Sequence, residues 1–428
     1  MDRYDSYKDS GVKWIGETPI HWDVLRMCFV FKPVSIKNTS GEMNLSVYRD
    51  YGVIPTHSRN DNHNVISEDT SNYKLVEKGD FVMNKMKCWM GSLGLSDYRG
   101  IVSPSYTVMK PLIELNHKYI HYLLRSKLYI PQYKRLSYGV REGQWDLRFE
   151  DFRELPCLIP PLPEQQQIVL FLDDKTEKID SLTQQKEKKI ELLKEKRTSL
   201  INHVVTKGLN PKVEMKDTGV EWIGEIPSHW GCFKMKYGVN HISEKSQPNK
   251  TDIKISPENV ESSTGVCFNL YSEHESEGMR FISGDILLNK LRLYLKKILF
   301  TEYDGYSLGE MIVLRTNESL VNKYFYHLLF NQGLIDLLDS QSTGVKLPRV
   351  SPDIIMNSEI IYPPIFEQQQ IVEYLDEKTE EIDTLIQLEQ KKIETLKEYR
   401  QSLISEVVTG KIRVCEEDRS LTLEPQIV

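Results

Sequence analysis

Residues 160–182, with the sequence PPLPEQQQIVLFLDDKTEKIDSL, return at residues 363–385 as PPIFEQQQIVEYLDEKTEEIDTL. A second block, DSGVKWIGETPIHW at residues 9–22, returns at residues 217–230 as DTGVEWIGEIPSHW. Internal similarity of this length indicates an architecture built from repeated units. The chain is therefore a tandem duplication of roughly 200 residues, in which a mixed, turn-rich part is followed by a long, charged helical part.

The two helical parts carry apolar residues at matching positions, spaced by three, four, seven and eight residues, which fits a helix and not a strand. Proline precedes each pattern, Glu164 or Glu367 lies in the first turn, and Gly208 or Gly410 follows the last periodic residue. These signals predict two helices of about 45 residues, each spanning about 65–70 Å. The apolar positions are Ile168, Leu172, Ile179, Leu182, Ile190, Leu193, Leu200 and Val204 in one copy, and Ile371, Leu375, Ile382, Leu385, Ile393, Leu396, Leu403 and Val407 in the other.

A narrow apolar face on a long charged helix requires a partner helix, and the helix of the other copy is the obvious candidate. A pseudo-two-fold axis perpendicular to the helices would make the pair antiparallel. The step of eight residues from Leu182 to Ile190 departs from a heptad and predicts a local stutter. The predicted fold class is thus mixed α/β (α+β), with two similar modules joined by an antiparallel coiled coil.

The composition is typical of a soluble, ordered protein, with 39% hydrophobic and 27% charged residues. No apolar run is long enough for a membrane span, and the start has no secretory signal. The six cysteines form no C-x-x-C pair, so we expect reduced thiols in a cytoplasmic protein. The net charge of -7 disfavours a nucleic-acid partner when the chain is taken as a whole.

Charge counted by region changes that inference. Residues 23–157 carry a net charge of +4, residues 231–358 carry -1, and the second helical part, residues 366–412, carries -5. The acidity therefore lies mainly on the second helix and the tail, which need not contact nucleic acid. The weak overall field predicts that the chain alone binds DNA poorly and that its partners supply much of the phosphate contact.

Common catalytic motifs are absent from the sequence. It contains no phosphate-binding loop, no dinucleotide-binding glycine motif, no nucleophile elbow and no zinc-protease motif. The ten histidines show no ligand-like spacing. The adjacent pair Asp173 and Asp174 cannot face one metal ion from a helix, so both are interpreted as surface charges. The sequence therefore predicts neither a catalytic site nor a metal site.

Basic and aromatic residues gather at matching places in the two mixed parts. One pair of stretches follows a Gly-Asp turn and a short apolar run, and the other pair follows Gly139 or Gly344. Such side chains can contact phosphates, base edges and base faces, although lysines at a strand edge can also serve only solubility. The candidate DNA contacts are Lys85, Lys87, Arg99, Tyr106, Arg141, Gln144 and Arg148 in the first module, and Lys290, Arg292, Tyr294, Lys296, Lys346 and Arg349 in the second.

The two repeated motifs themselves are interpreted as structural or partner-binding. His21 and His229 recur inside the W-I-G-x-x-P-x-H-W motif, which reads as a packed segment or, failing that, a subunit contact. The glutamine triplet in EQQQIV is unusual for a helix core. We therefore predict that some of these side chains lie outside and bind a partner protein. The candidates are Gln165, Gln166, Gln368 and Gln369.

The order of these motifs, all present twice, resembles the specificity subunit of type I restriction–modification systems. The ordered motifs are W-I-G-x-x-P-x-H-W, Gly-Asp with Asn-Lys, Gly-Val with basic residues, and P-P-x-x-E-Q-Q-x-I with a long helix. The resemblance extends to about residue 412. It implies two target recognition domains, each reading half of a gapped, asymmetric DNA site, and a coiled coil that sets the gap. Each motif alone is weak, but the duplicated order is specific.

The resemblance also implies the partners. These would be two modification subunits, which methylate adenine N6 with S-adenosylmethionine, and two restriction subunits, which use ATP and Mg²⁺. The chain itself would need no cofactor and would be non-catalytic. It has no N-P-P-Y methyltransferase motif and no Walker motif, which agrees with that division of labour. The helix length limits the distance between module centres to about 20 bp, and the divergent recognition parts predict a non-palindromic site.

The predicted segments follow the motifs, and three alternatives remain. They are a specificity module of another restriction–modification type, a coiled-coil scaffold without DNA, and a self-sufficient enzyme such as a nuclease. The segments are residues 1–157, the first target recognition domain; 158–212, the central helix; 213–358, the second target recognition domain; 359–412, the C-terminal helix; and 413–428, the tail.

Overall fold

The structure, a computed structural model, describes residues 2–37, 41–49, 51–58, 69–139, 145–273, 276–344 and 346–414. The chain forms two compact units, one of Met1–Gln185 with Lys392–Val428 and one of Lys186–Lys391. The boundaries between the units fall inside the two long helices. Each unit therefore contains one mixed part and a portion of both long helices.

The first unit contains strands and helices in alternation, and the first long helix begins within it. Its strands are β1 (Tyr7–Asp9), β2 (Glu17–Pro19), β3 (Asp23–Arg26), β4 (Phe31–Val34), β5 (Leu45–Tyr48), β6 (Gly52–Pro55), β7 (Lys74–Val76), β8 (Phe81–Asn84), β9 (Leu93–Leu95), β10 (Gly100–Val102), β11 (Tyr106–Pro111) and β12 (Pro156–Ile159). Its helices are α1 (Met27–Val30), α2 (His117–Leu124), α3 (Ile130–Leu136), α4 (Phe149–Phe152) and the first part of α5 (Leu162–Lys207), with 3₁₀ helices at Thr56–Ser58 and Lys85–Met90.

The second unit repeats this order. Its strands are β13 (Met215–Asp217), β14 (Glu225–Pro227), β15 (Gly231–Lys234), β16 (Val239–Ile242), β17 (Lys245–Ser246), β18 (Lys254–Ile255), β19 (Gly278–Phe281), β20 (Ile286–Asn289), β21 (Ile298–Phe300), β22 (Gly305–Ser307), β23 (Met311–Thr316) and β24 (Glu359–Tyr362). Its helices are α6 (Asn322–Leu329), α7 (Gln332–Ser340), α8 (Pro352–Asn357) and the first part of α9 (Ile365–Val408), with 3₁₀ helices at Met235–Tyr237, Pro257–Asn259 and Leu293–Leu295.

The central sheets of the two units have the same topology. The strand order is β4-β11-β8-β9 in the first and β16-β23-β20-β21 in the second, with every pairing antiparallel. All four residues of β8 and of β20 are buried, because these inner strands are covered on both faces. Phe81 faces the main core of the first unit, whereas Val82 faces a smaller cluster on the other side.

The two long helices pair in antiparallel orientation, which confirms the predicted architecture. Within the second unit, Lys186 contacts Glu389, whereas Arg197, further along α5, contacts Asp383, which is earlier in α9. A glycine with positive φ follows the end of each helix within two residues, and φ is +73° at both Gly208 and Gly410. Glycine adopts this left-handed conformation at little cost, and so it terminates the helix.

A heptad series of positions can be followed along the whole of α5, and the predicted stutter stays a prediction. Positions seven residues apart are Leu172, Ile179, Lys186, Leu193 and Leu200, and Lys186 occupies the place where an apolar residue is missing. The corresponding position in α9 is Glu389, which is 3% exposed. The seam therefore contains a charged pair at the centre of an otherwise apolar repeat.

Candidate nucleic-acid interface

In each unit, the structure brings the two predicted basic stretches side by side. The backbone N–H of Leu147 donates to the carbonyl of Lys85 at 3.2 Å, and that of Val350 donates to the carbonyl of Lys290 at 3.0 Å. The 3₁₀ segment after β8 or β20 thus lies beside the loop that precedes α4 or α8. The sequence placed these stretches about 60 residues apart, so only the folded chain joins them into one surface.

The surface of the first unit interleaves cations with aromatic rings. Lys85 is half-buried and Lys87 is exposed, both on the 3₁₀ helix after β8. The indole of Trp89 meets that of Trp145 edge-on with ring centroids 5.2 Å apart. The guanidinium of Arg148 lies 4.8 Å from the centroid of the Tyr138 ring. This arrangement offers cations for phosphates and rings for apolar contact or base stacking.

Two other predicted contacts of the first unit lie in different surroundings. Arg99 is paired with Glu42 at 3.0 Å and with Glu77 at 2.9 Å, so its charge is already compensated. Tyr106 begins β11, is half-buried, and its carbonyl accepts a hydrogen bond from Lys74 Nζ at 2.6 Å. Burial raises the pKa of the Tyr106 hydroxyl. Arg141 and Gln144 lie outside the described residues.

The corresponding surface of the second unit is partly neutralised by Glu310. Its carboxylate lies 3.4 Å from Lys290 Nζ and also pairs with the guanidinium of Arg349. Arg292 is exposed and has φ of +51°. Tyr294 is 51% exposed and Lys346 is also exposed. The exposed cations and ring thus follow β20 and Gly344, as in the first unit.

The prediction that Lys296 contacts DNA is wrong. Its side chain is 7% exposed, and its Nζ donates to the backbone carbonyl of Phe330 at 3.1 Å. Burial lowers the pKa of its ammonium group. A lysine held inside the unit by a carbonyl cannot reach a DNA phosphate from this position. Lys296 therefore belongs to the interior of the second unit and not to its surface.

The first glutamine of each triplet was predicted to lie outside and bind a partner protein, and this prediction is wrong. Gln165 and Gln368 are only 1% and 0% exposed. Gln165 Oε1 accepts from the N–H of Asn116 at 2.9 Å, and its Nε2 donates to the carbonyl of Pro160 at 2.9 Å. Gln368 makes the corresponding bonds to Val321 N–H and Pro363 carbonyl at 2.7 Å and 2.8 Å.

Each of these glutamines joins the start of a long helix to the start of a module helix, so its position is structural. The second glutamines, Gln166 and Gln369, are exposed. They stay predictions for the partner interface.

The repeated W-I-G-x-x-P-x-H-W motif fixes the first turn of each long helix. The indole N–H of Trp22 donates to Glu164 at 3.1 Å, and His21 Nε2 lies 2.8 Å from the same carboxylate. Trp230 and His229 hold Glu367 in the same way, at 2.9 Å and 2.6 Å. The structural interpretation of this motif therefore accounts for the histidine, the second tryptophan and the first-turn glutamate together.

Three residues near the predicted surface of the first unit were not among the predicted DNA contacts. Lys134 Nζ lies 5.7 Å from the ring centroid of Trp145, and Tyr138 lies under Arg148. The pKa of Lys74 is lowered by burial and by the nearby charge of Lys85. The basic pair at residues 134–135 was a usable signal. The position of Lys74 became visible only in the folded chain, where its Nζ donates to the Tyr106 carbonyl at the start of β11.

Other site types receive no support from the part of the chain that the structure describes. Within it, no group of three or more histidine, cysteine, aspartate or glutamate side chains is arranged to hold a metal ion. Cys28, Cys88, Cys157, Cys232 and Cys267 are free thiols. Among the described helices, none combines the length and the apolar character that crossing a bilayer requires.

Comparison with protein families identifies one match. The family model described as the type I restriction modification DNA specificity domain matches residues 31–192 and 279–398, which together make up more than half of the chain. The two matched regions correspond to the two copies of the repeat.

Curated relatives are distant but extend along most of the chain. The type I restriction enzyme EcoDI specificity subunit of Escherichia coli is 19% identical over 93% of this chain and 90% of its own length. The type I restriction enzyme MjaVIII specificity subunit of Methanocaldococcus jannaschii is 25% identical over 61% of this chain. That alignment spans 63% of the MjaVIII subunit, slightly less than two thirds of its length.

Solved structures share the fold. A chain from work on complex assembly and conformational transition of the type I R-M system superposes with a TM-score of 0.69 at 15% identity, covering 92% of this chain and 99% of that one. The HsdS subunit from Thermoanaerobacter tengcongensis superposes with a TM-score of 0.55 at 15% identity, covering 92% and 98%. At this identity, the likeness establishes the architecture alone.

Proposed function

The chain belongs to the type I restriction modification DNA specificity family, and from that premise we propose that its two units read the two halves of a gapped, asymmetric DNA site. The proposal assigns each half-site to the surface formed by the 3₁₀ segment after β8 or β20 and the loop before α4 or α8. Phosphate contacts would come from the exposed cations, and base contacts from the same loops and their rings.

One observation carries the proposal: the same backbone surface recurs in both units with different side chains. Lys85 corresponds to Lys290, and both follow the last residue of an inner strand. Trp89 in the first unit corresponds to Tyr294 in the second. A shared scaffold with divergent side chains suits two modules that perform the same task on different sequences. The site should therefore be non-palindromic.

The proposal leaves chemistry to partner subunits. Two modification subunits would methylate adenine N6 with S-adenosylmethionine, which requires the base to leave the stack. Two restriction subunits would supply ATP-dependent cleavage with Mg²⁺. Gln166 and Gln369, exposed on the first turns of the long helices, are the proposed contacts for the modification subunits. Two DNA-reading units in one chain act as a bivalent binder, so binding of the first half-site favours the second at the permitted spacing.

Methylome mapping tests the proposal directly. The chain is co-expressed with its modification subunit, and methylated adenines are located by single-molecule sequencing. We expect one gapped, non-palindromic motif with a gap shorter than about 20 bp. Lys87→Ala with Trp89→Ala should relax one half of the motif, and Arg292→Ala with Tyr294→Ala the other half. A contiguous palindromic motif, or methylation or cleavage by the chain without partners, would refute the proposal.

A further inference from the structure

The first unit contains a basic cleft away from the histidine, glutamate and glutamine contacts described above. Its volume is about 370 Å³, and Arg49, Arg125, Lys127 and Arg400 contribute to its lining. None of the described lining residues is acidic. Asp180, which lies outside the lining, pairs with Arg400 at 2.9 Å. The cleft therefore brings four cationic side chains together.

Arg125 is held in place by two side-chain contacts. Arg125 Nη2 donates to the carbonyl of Tyr48 at 3.0 Å, and its Nη1 lies 3.3 Å from His121 Nδ1. Burial and the charge of Arg125 lower the pKa of His121 to about 3, so this imidazole is neutral near pH 7. Ser126 also lines the cleft, and its buried hydroxyl has no hydrogen-bond partner among the described residues. A preorganised guanidinium group loses little freedom when it binds an anion.

The second unit shows that the scaffold does not require this cluster. At the corresponding positions, Phe330 replaces Arg125 and Gln332 replaces Lys127. Lys296 replaces Gly91, and its ammonium group bonds to the carbonyl of Phe330. The arginine of the long helix is retained, since Arg197 corresponds to Arg400. Arg197 pairs with Asp383 in the same way that Arg400 pairs with Asp180.

The arginine–aspartate pair therefore belongs to the repeated framework, whereas Arg125 and Lys127 have no cationic counterpart in the second unit. Gly91, which has φ of +93° and no side chain, lines the cleft in the first unit. The corresponding Lys296 of the second unit directs its own cation at the carbonyl that follows α6.

We propose that this cleft is a binding site for a phosphate group. Guanidinium groups bind phosphate oxygens through paired N–H donors, and charge-assisted hydrogen bonds of this kind are stronger than neutral ones. The 3₁₀ helix that carries Lys85 and Lys87 ends at Met90, which lines the cleft. A backbone phosphate of DNA is therefore one source of the ligand, and this source rests on the proposed function. A small phosphorylated molecule is the other source.

Inorganic phosphate titrated into the purified full-length chain by calorimetry, at constant ionic strength, tests the site itself. Arg125→Phe should weaken phosphate binding at least tenfold, since it removes a charge-assisted contact. Arg49→Gln with Lys127→Gln should do the same and changes only exposed side chains. The matched pair is Arg400→Gln and Arg197→Gln, because each removes one arginine–aspartate contact between the long helices. Only Arg400→Gln should weaken phosphate binding.

The salt dependence of duplex DNA binding distinguishes the two sources. Each phosphate contact contributes about 0.9 to the slope of log K against log salt concentration. A loss of about one in this slope for Arg125→Phe, but not for Arg197→Gln, would identify the DNA backbone. An unchanged slope with weakened phosphate binding would identify a small phosphorylated ligand. No phosphate binding, or equal binding by all variants, would overturn the proposal. A chain that binds phosphate in this pattern but never binds DNA would refute the proposed function and leave the site standing.

Discussion

Glu389→Gln should destabilise the second unit, because Glu389 is the charged residue at the centre of the helix seam. Its carboxylate is 2.9 Å from Lys189 Nζ and 3.0 Å from Lys186 Nζ. These hydrogen bonds lower the pKa of Glu389 from its ordinary 4.5 to about 2. At about 1.4 kcal/mol per tenfold change in acid dissociation, that difference corresponds to about 3 kcal/mol.

The measurable loss should be smaller than this upper figure. Lys189 is 54% exposed, so water and salt screen part of the attraction. We expect Glu389→Gln to lower the free energy of unfolding by about 1–3 kcal/mol at pH 7, since two lysines then share the seam without a carboxylate. Because the folded state lowers the pKa, the contribution is complete above about pH 5 and disappears as the pH falls from about 4.5 towards 2.

Urea unfolding of both proteins from pH 7 to pH 3 provides the assay. The difference between wild type and Glu389→Gln should shrink steadily below pH 5. Glu381→Gln is the control, because Glu381 pairs with Lys378 on the same helix but is 57% exposed. Equal stability of Glu389→Gln and wild type at pH 7, or a difference that persists unchanged at pH 3, would refute the reasoning.

The seam position has a further consequence for pairing. Lys186 and Glu389 are 203 residues apart and occupy the same place in the two copies of the repeat. A pair made from two first helices would bring lysine against lysine, and a pair of two second helices glutamate against glutamate. Like charges in a seam disfavour such pairs, whereas the native pair satisfies both charges. A polar seam residue can thus specify the partner even where it adds little stability.

Three further predictions concern the corrected and retained site residues. Gln165→Ala should lower the free energy of unfolding in urea by about 1–3 kcal/mol, because it leaves the Asn116 N–H without its acceptor. Gln166 is exposed, so Gln166→Ala should change that free energy by less than about 0.5 kcal/mol. Equal effects of the two substitutions would contradict the structural role assigned to Gln165. Arg148→Ala should weaken DNA binding about tenfold in a fluorescence anisotropy titration, and Arg99→Ala, whose charge is compensated by two glutamates, should change it less than twofold; the reverse order would contradict the proposed surface. Lys296→Met should leave DNA affinity unchanged and lower stability by about 1 kcal/mol, because the Phe330 carbonyl loses its donor; a large loss of DNA affinity with unchanged stability would return Lys296 to the interface.

Local patterns in the sequence were sufficient for the architecture. The doubled EQQQIV helix start, the apolar heptad positions and the closing glycines Gly208 and Gly410 depend on residues within one or two helix turns of each other. Such short-range signals survive in the linear sequence. The inner strands β8 and β20 were also visible, because burial on both faces demands a continuous apolar run.

The sequence predicted the parts of the candidate site but not their arrangement, and the reason is physical. The two basic stretches could be found in each copy, but their proximity depends on a backbone bond between Lys85 and Leu147, which the chain creates only on folding. The sequence could not distinguish buried from exposed members of the same motif. Gln165 and Gln166 are neighbours with identical side chains, yet only Gln165 meets the start of α2.

The sequence by itself therefore determined that this protein consists of two copies of one unit and that two long helices pair. Periodicity and repetition are properties of neighbouring residues, so they need no knowledge of distant contacts. The tertiary structure alone decided which charges are satisfied: Lys296 by a carbonyl, Arg99 by two glutamates and Lys186 by Glu389. Each of these partners is remote in sequence or comes from another element, and whether a charge is compensated or available for a ligand depends on that partner.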